Sequence, residues 1–181
     1  DYLKISDINK SIIECKSILN IESNNEWALY QLVVLYKKNN DWAKATEYLK
    51  AYFEKTGKRN DNKLSLYKIQ QSKLKIKDKK FDEARQILEK SLSIKPDFAA
   101  AYYFLAKSYS EESNIEYEKA ILIQNENSSS LTDSNQYNSY LEEAKKILSK
   151  AIPLWAHFSE IDPEQSWLVL PLLKDALFVL N

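Results

Sequence analysis

Residues able to do chemistry are few and scattered. His157 is the only histidine and Cys15 the only cysteine. A nucleophile–base pair or a histidine-built zinc site needs companions, and neither residue has them nearby in sequence. There is no recognisable nucleophile motif. Cys15 falls on the apolar stripe of a helical pattern, where a small buried residue fits better than a reactive thiol. His157 reads as a structural or surface residue. The pairs Glu111-Glu112 and Glu142-Glu143 are adjacent in the chain, so their carboxylates do not face a common point on a helix. They read as solvated surface. The chain is therefore expected to be a non-enzyme, with no catalytic residue, no metal and no cofactor.

Composition narrows the partners. Charged residues are 29% of the 181 residues and hydrophobic ones 44%, the balance of a globular domain with a core. The formal net charge is zero, which argues against nucleic acid, whose binders need a basic excess. One basic stretch, Lys73 to Lys80, reads as a solvated turn at a helix end. Glycine occurs once, at Gly57, and proline four times. Tight hairpins and phosphate loops both depend on glycine, so helices joined by short polar turns are expected. A lone cysteine excludes an internal disulfide. No segment reaches the roughly 18 apolar residues of a membrane span. The chain starts at Asp1 without a methionine and so reads as an excised or processed fragment, which leaves its compartment open. Only Arg59 and Arg85 are arginine among many lysines, a hint of an AT-rich genome.

Internal periodicity supplies the elements. In four segments an apolar residue is followed at +3 by a small one, then by apolar ones at +7 and +11. These are Ile8, Ser11, Cys15, Leu19; Trp42, Ala45, Leu49, Phe53; Phe81, Ala84, Leu88, Leu92; and Leu141, Ala144, Leu148, Ile152. Such spacing places all four on one helical face, and the small residue lets a neighbouring helix come close. A second stripe alternates with the first: Leu29, Leu32, Val33, Tyr36, and again Tyr102, Leu105, Ala106, Tyr109. Tyr67, Gln70, Gln71 and Leu74 repeat it with two polar positions. The turns Lys38–Asp41 and Lys77–Lys80 are short enough to force antiparallel neighbours.

The stretches "NNDWAKATEYLKAY" and "KKFDEARQILEKSLSIKPDFAAAYYFLAKSY" resemble tetratricopeptide repeats, whose period is about 34 residues. Ser11 to Ala45 is 34 residues, and Ala45 to Ala84 is 39, which makes the linker 55–63 longer than standard. The family's usual glycine in the first helix is replaced by Val33, Gln71 and Ala106. The resemblance implies an all-α fold, an antiparallel helix-pair solenoid with a right-handed superhelical twist, of about three repeats plus flanking helices. The expected organisation is a single domain: a partial repeat at 1–24, repeats at 25–60 and 61–96, and a repeat at 97–160 with an inserted polar loop at about 111–138. An apolar C-terminal helix at 161–181 completes it. Within the insertion, 126–136 reads as a mobile loop; the segment before it, with Tyr117, Ala120, Ile121 and Gln124, either lengthens the preceding helix or forms a helix of its own. Pro153 should kink or stop its helix. Asp162 and Pro163 should open the last helix, Glu164 to Leu180, which Pro171 bends.

In such a solenoid the first helix of each pair lines the concave wall, and residues off the packing stripe point into it. Here these are Trp27, Tyr30, Gln31 and Val34; Lys68, Ile69 and Ser72; and Tyr103, Phe104 and Lys107. Rings with lysines suit a peptide or a partner helix. The basic and asparagine clamp with which some family members hold a chaperone tail is absent: its places hold Tyr30, Val34, Ile69, Ala100 and Phe104. Trp167, Leu168, Leu173, Leu177 and Phe178 mark the C-terminal helix as a docking helix, for a partner or for a homodimer, unless the segment 153–160 covers it. The expected function is a scaffold that binds a peptide or helix of a partner and supports assembly of a larger complex. Two alternatives stay open: an accessory domain of a larger enzyme or transport system, and a helical solute-binding protein with an enclosed pocket.

Overall fold

The computed structural model describes residues 2–125 and 131–180, with side chains for 7–125 and 134–180. Nine α-helices and one 3-10 helix make up the described residues, with no strand among them. They are α1 (Tyr2–Ile21), α2 (Glu26–Lys38), α3 (Trp42–Thr56), α4 (Asp61–Lys77), α5 (Phe81–Ile94), α6 (Ala99–Asn125), α7 (Leu131–Ser149) and α8 (Ala151–Ile161). The 3-10 helix Pro163–Leu168 and α9 (Leu170–Leu180) follow. The chain divides into two compact units, one of residues 1–71 and 90–96, the other of 72–89 and 97–181.

α2 and α3 are antiparallel neighbours. In the first unit Tyr36 stacks on Tyr48 and Tyr30 leans on Tyr52, so numbers rise along α2 as they fall along α3. Asn25 opens α2, its side chain accepting from the Ala28 N–H, and Asp41 opens α3 by accepting from the Lys44 N–H. Gly57 ends α3 at φ 66, the left-handed position that glycine occupies without cost.

The turns between α2 and α3 and between α4 and α5 are copies of one another. The Asp41 N–H donates to the Tyr36 carbonyl and that of Asn40 to Lys37; the Lys80 N–H donates to Lys75 and that of Lys79 to Ile76. Asn40 and Lys79 are both left-handed, at φ 56 and 58. Each is a Schellman closure with a non-glycine residue at its left-handed position, and Ala45 and Ala84 each donate back to the residue that ends the turn. Both alanines are wholly buried, as Leu49 and Leu88 are.

In the second unit the long α6 is opposed by α7 and then by α8. Lys119 sits over Tyr140, the Ser113 hydroxyl donates to the Ala144 carbonyl at 2.7 Å, Lys150 sits over Tyr109, and Tyr103 meets Phe158. The core here is Ala106, Ala151, Trp155, Phe158, Val169 and Ala176.

Three expectations are corrected. In the insertion expected at 111–138, the segment before the loop takes the first of its two alternatives and lengthens α6 to Asn125; of the expected mobile loop 126–136, residues 131–136 are instead the start of α7, and 126–130 lie outside the described residues. The inward positions on this part of α6 are Ser113 and Ala120, too small and polar to register as an apolar stripe. The packing face of α4 is Ser65, Ile69, Ser72 and Ile76; of the expected stripe only Tyr67 is buried, Gln70 and Gln71 are half-buried and Leu74 is exposed. The last helix is interrupted at Val169, and Pro171 stands in the first turn of α9, where the missing N–H would be unbonded anyway. Pro153 likewise lies in the first turn of α8, three residues beyond the break at Lys150.

Candidate partner-binding groove

In the second unit, the C-terminal half of α4, the start of α5 and one face of α6 enclose a groove of about 390 Å³. Its floor is the cluster of Ile76, Phe81 and Ala84, with Phe104 and Ile115 packed against it. Lys73 and Lys77 come from α4, Lys79 from the Schellman turn, and Lys107, Glu111 and Glu118 from α6. On α6 the positions 104, 107, 111, 115 and 118 recur at three and four residues, which puts them on one face. The Lys73 amine lies 5.6 Å from the centre of the Phe104 ring, a cation–π contact. Lys107 faces Glu111 at 3.9 Å. An ion pair between Lys75 and Glu83, 2.6 Å, ties α4 to α5 beside the groove.

The groove gathers two of the residues expected to meet a partner, Phe104 and Lys107. Tyr103 instead turns inward, its ring on Phe104 and Phe158. In the first unit Trp27 and Tyr30 are exposed on α2, and Lys63 lies over the Tyr30 ring; Gln31 and Val34 are half-buried. Ile69 and Ser72 are 3% and 0% exposed, so their assignment to a partner-binding wall is withdrawn: they are the packing face of α4. Lys68 is half-buried and lines a separate hollow of about 450 Å³ with Thr46, Lys50 and Gln71. Burial, together with the charges of Lys50 and Lys90, pushes its amine below the usual lysine value.

Lys73, Lys77 and Lys79 escaped the sequence reading, which took the basic stretch for a solvated turn. The usable signal was the spacing of Lys73 and Lys77 by four residues directly before the turn, which puts both on one side of α4. His157 hydrogen-bonds Glu160 at 3.1 Å and lies edge-on to Tyr102. Cys15 is buried, and burial, with the charge of Glu14, raises its thiol pKa.

The C-terminal docking residues divide. Leu168 and Leu173 pack against the Trp155 core, whereas Trp167, Leu177 and Phe178 are exposed, Phe178 to 85%. Leu173→Glu is expected to cost about 1–2 kcal/mol, part of a buried leucine's worth, in urea unfolding. Leu177→Glu should leave stability within about 0.5 kcal/mol; a loss at Leu177 equal to that at Leu173 would mean that both faces of α9 are covered.

No helix among the described residues is long and apolar enough to cross a membrane. No protein-family model matches the chain, and no curated protein matches it either.

Proposed function

We propose that this chain is a tetratricopeptide-like scaffold, a right-handed solenoid of helix pairs that holds a peptide or helix of a partner protein and supports assembly of a larger complex. The observation that carries this reading is the groove: an apolar floor of Ile76, Phe81, Phe104 and Ile115 beneath a charged rim, the arrangement in which apolar anchors are buried while the rim fixes orientation. The duplicated turn, repeated at the 39-residue spacing of Ala45 and Ala84, supports the repeat assignment. Peptides selected from a displayed random library against the chain should bind in isothermal titration. Asn114 is exposed on the groove wall, so Asn114→Trp should obstruct the groove without disturbing the core and weaken binding by about tenfold or more. Undiminished binding by this variant would place the partner site elsewhere.

The exposed outer face of α9 favours a second reading, an accessory domain docked through Trp167, Leu177 and Phe178 to a larger assembly, or to a second copy of itself. Analytical ultracentrifugation of the wild type and of Leu177→Glu separates the homodimer from the monomer.

A further inference from the structure

The groove carries positive charge that its own walls leave unbalanced. Four lysines line it against two glutamates. Lys107 is matched with Glu111 at 3.9 Å, but Lys73, Lys77 and Lys79 form no ion pair among the described residues, and the Lys73 amine is turned over the Phe104 ring. Lys73 and Lys77 stand four apart on α4, where like charges repel. These three amines fringe an apolar floor on the α4 side, while Glu111 and Glu118 stand on the α6 side.

Resting on the groove reading above, we propose that its occupant is an acidic amphipathic segment of a partner protein, with an apolar side chain against Phe104 and Ile115 and carboxylates facing Lys73, Lys77 and Lys79. Carboxylates on one edge of the segment relieve the repulsion along α4, and the apolar anchor covers the floor. A nucleic acid fits less well, because Glu111 and Glu118 would oppose its phosphates and the floor offers little to a sugar–phosphate backbone.

The test uses three labelled probes read by fluorescence anisotropy: an amphipathic peptide with leucine on one helical face and glutamate on the other, its counterpart with lysine in place of glutamate, and a single-stranded RNA. The glutamate peptide should bind, and its affinity should fall as salt is raised. Lys73 and Lys77 are exposed, so the double variant Lys73→Glu/Lys77→Glu should keep the fold, checked by circular dichroism, and weaken the glutamate peptide by about tenfold or more. Equal binding of the glutamate and lysine peptides, with no effect of the double variant, would overturn the acidic occupant; if Asn114→Trp still abolished binding, the groove itself would stand. Loss of neither interaction in either variant would remove both. Tighter binding of the RNA than of the glutamate peptide would also overturn the proposal.

Discussion

Replacing Trp155 by alanine is expected to lower the unfolding free energy by about 3–5 kcal/mol, the range for removing a large aromatic from a packed core. Trp155 is 2% exposed and the largest fully buried side chain of the chain's described residues. Its fully buried neighbours are mostly small, Ala106, Ala151, Val169 and Ala176 beside Phe158, with larger side chains such as Leu148, Leu168 and Leu173 packed around them. The alanines cannot reach into a vacated indole and the outer leucines fill it only in part, so most of the cavity would persist and its cost with it. The indole Nε1 is buried without a hydrogen-bond partner among the described residues, a desolvation cost that the native packing already bears. Trp155→Phe removes that donor and keeps a ring, and its loss should be less than half that of the alanine variant. Urea unfolding followed by circular dichroism measures both. A loss below about 1 kcal/mol for Trp155→Ala would mean that the cluster collapses around the gap.

α2 and α3 were legible in the sequence because their inward positions are apolar and mostly large. Leu29, Leu32, Val33 and Tyr36 on α2, and Ala45, Leu49 and Phe53 on α3, are all buried where periodicity puts them. Legibility fails where close approach of backbones replaces side-chain bulk. Ser65 and Ser72 on α4, Ser91 on α5, and Ser108 and Ser113 on α6 are buried, yet a serine in sequence counts as polar and turns the apparent face. The Ser113 hydroxyl finds an acceptor that only the fold supplies, the Ala144 carbonyl of α7, whereas that of Ser108 donates to Leu105 within its own helix. The same blindness affected the groove. Phe104 and Lys107 were found because α6 has an apolar stripe to measure from. Lys73 and Lys77 were missed because the basic stretch reads as a solvated turn, and the stripe Tyr67, Gln70, Gln71 and Leu74 set on α4 lies beside the packing positions Ser65, Ile69, Ser72 and Ile76, although Tyr67 itself is buried.

Removing Glu112 is expected to cost about 3 kcal/mol, more than a surface ion pair would. The partner is Arg85, only 9% exposed. Its guanidinium donates to Glu112 at 2.7 Å and to Asp82 at 2.6 Å, and it lies 4.5 Å from the centre of the Tyr109 ring. Burial opposes the charge most strongly, but the hydrogen bonds to Glu112 and Asp82 outweigh it and hold the Arg85 pKa above the ordinary value. Arginine therefore stays charged at any accessible pH, and its desolvation must be met by partners. Asp82 is almost fully solvated, so water screens its share, and Glu112 supplies the greater part. Glu112→Leu leaves a buried cation with one screened partner, the situation that costs about 3–5 kcal/mol when a buried pair is broken; the residual Asp82 contact places the expectation at the lower end. The double variant Glu112→Leu/Arg85→Met removes the stranded charge along with its partner and should recover most of the loss. A thermodynamic cycle over the wild type, both single variants and the double variant measures the coupling. Additive losses would show that Arg85 holds α5 to α6 through Tyr109 and its aliphatic stem alone, with the ion pair contributing nothing.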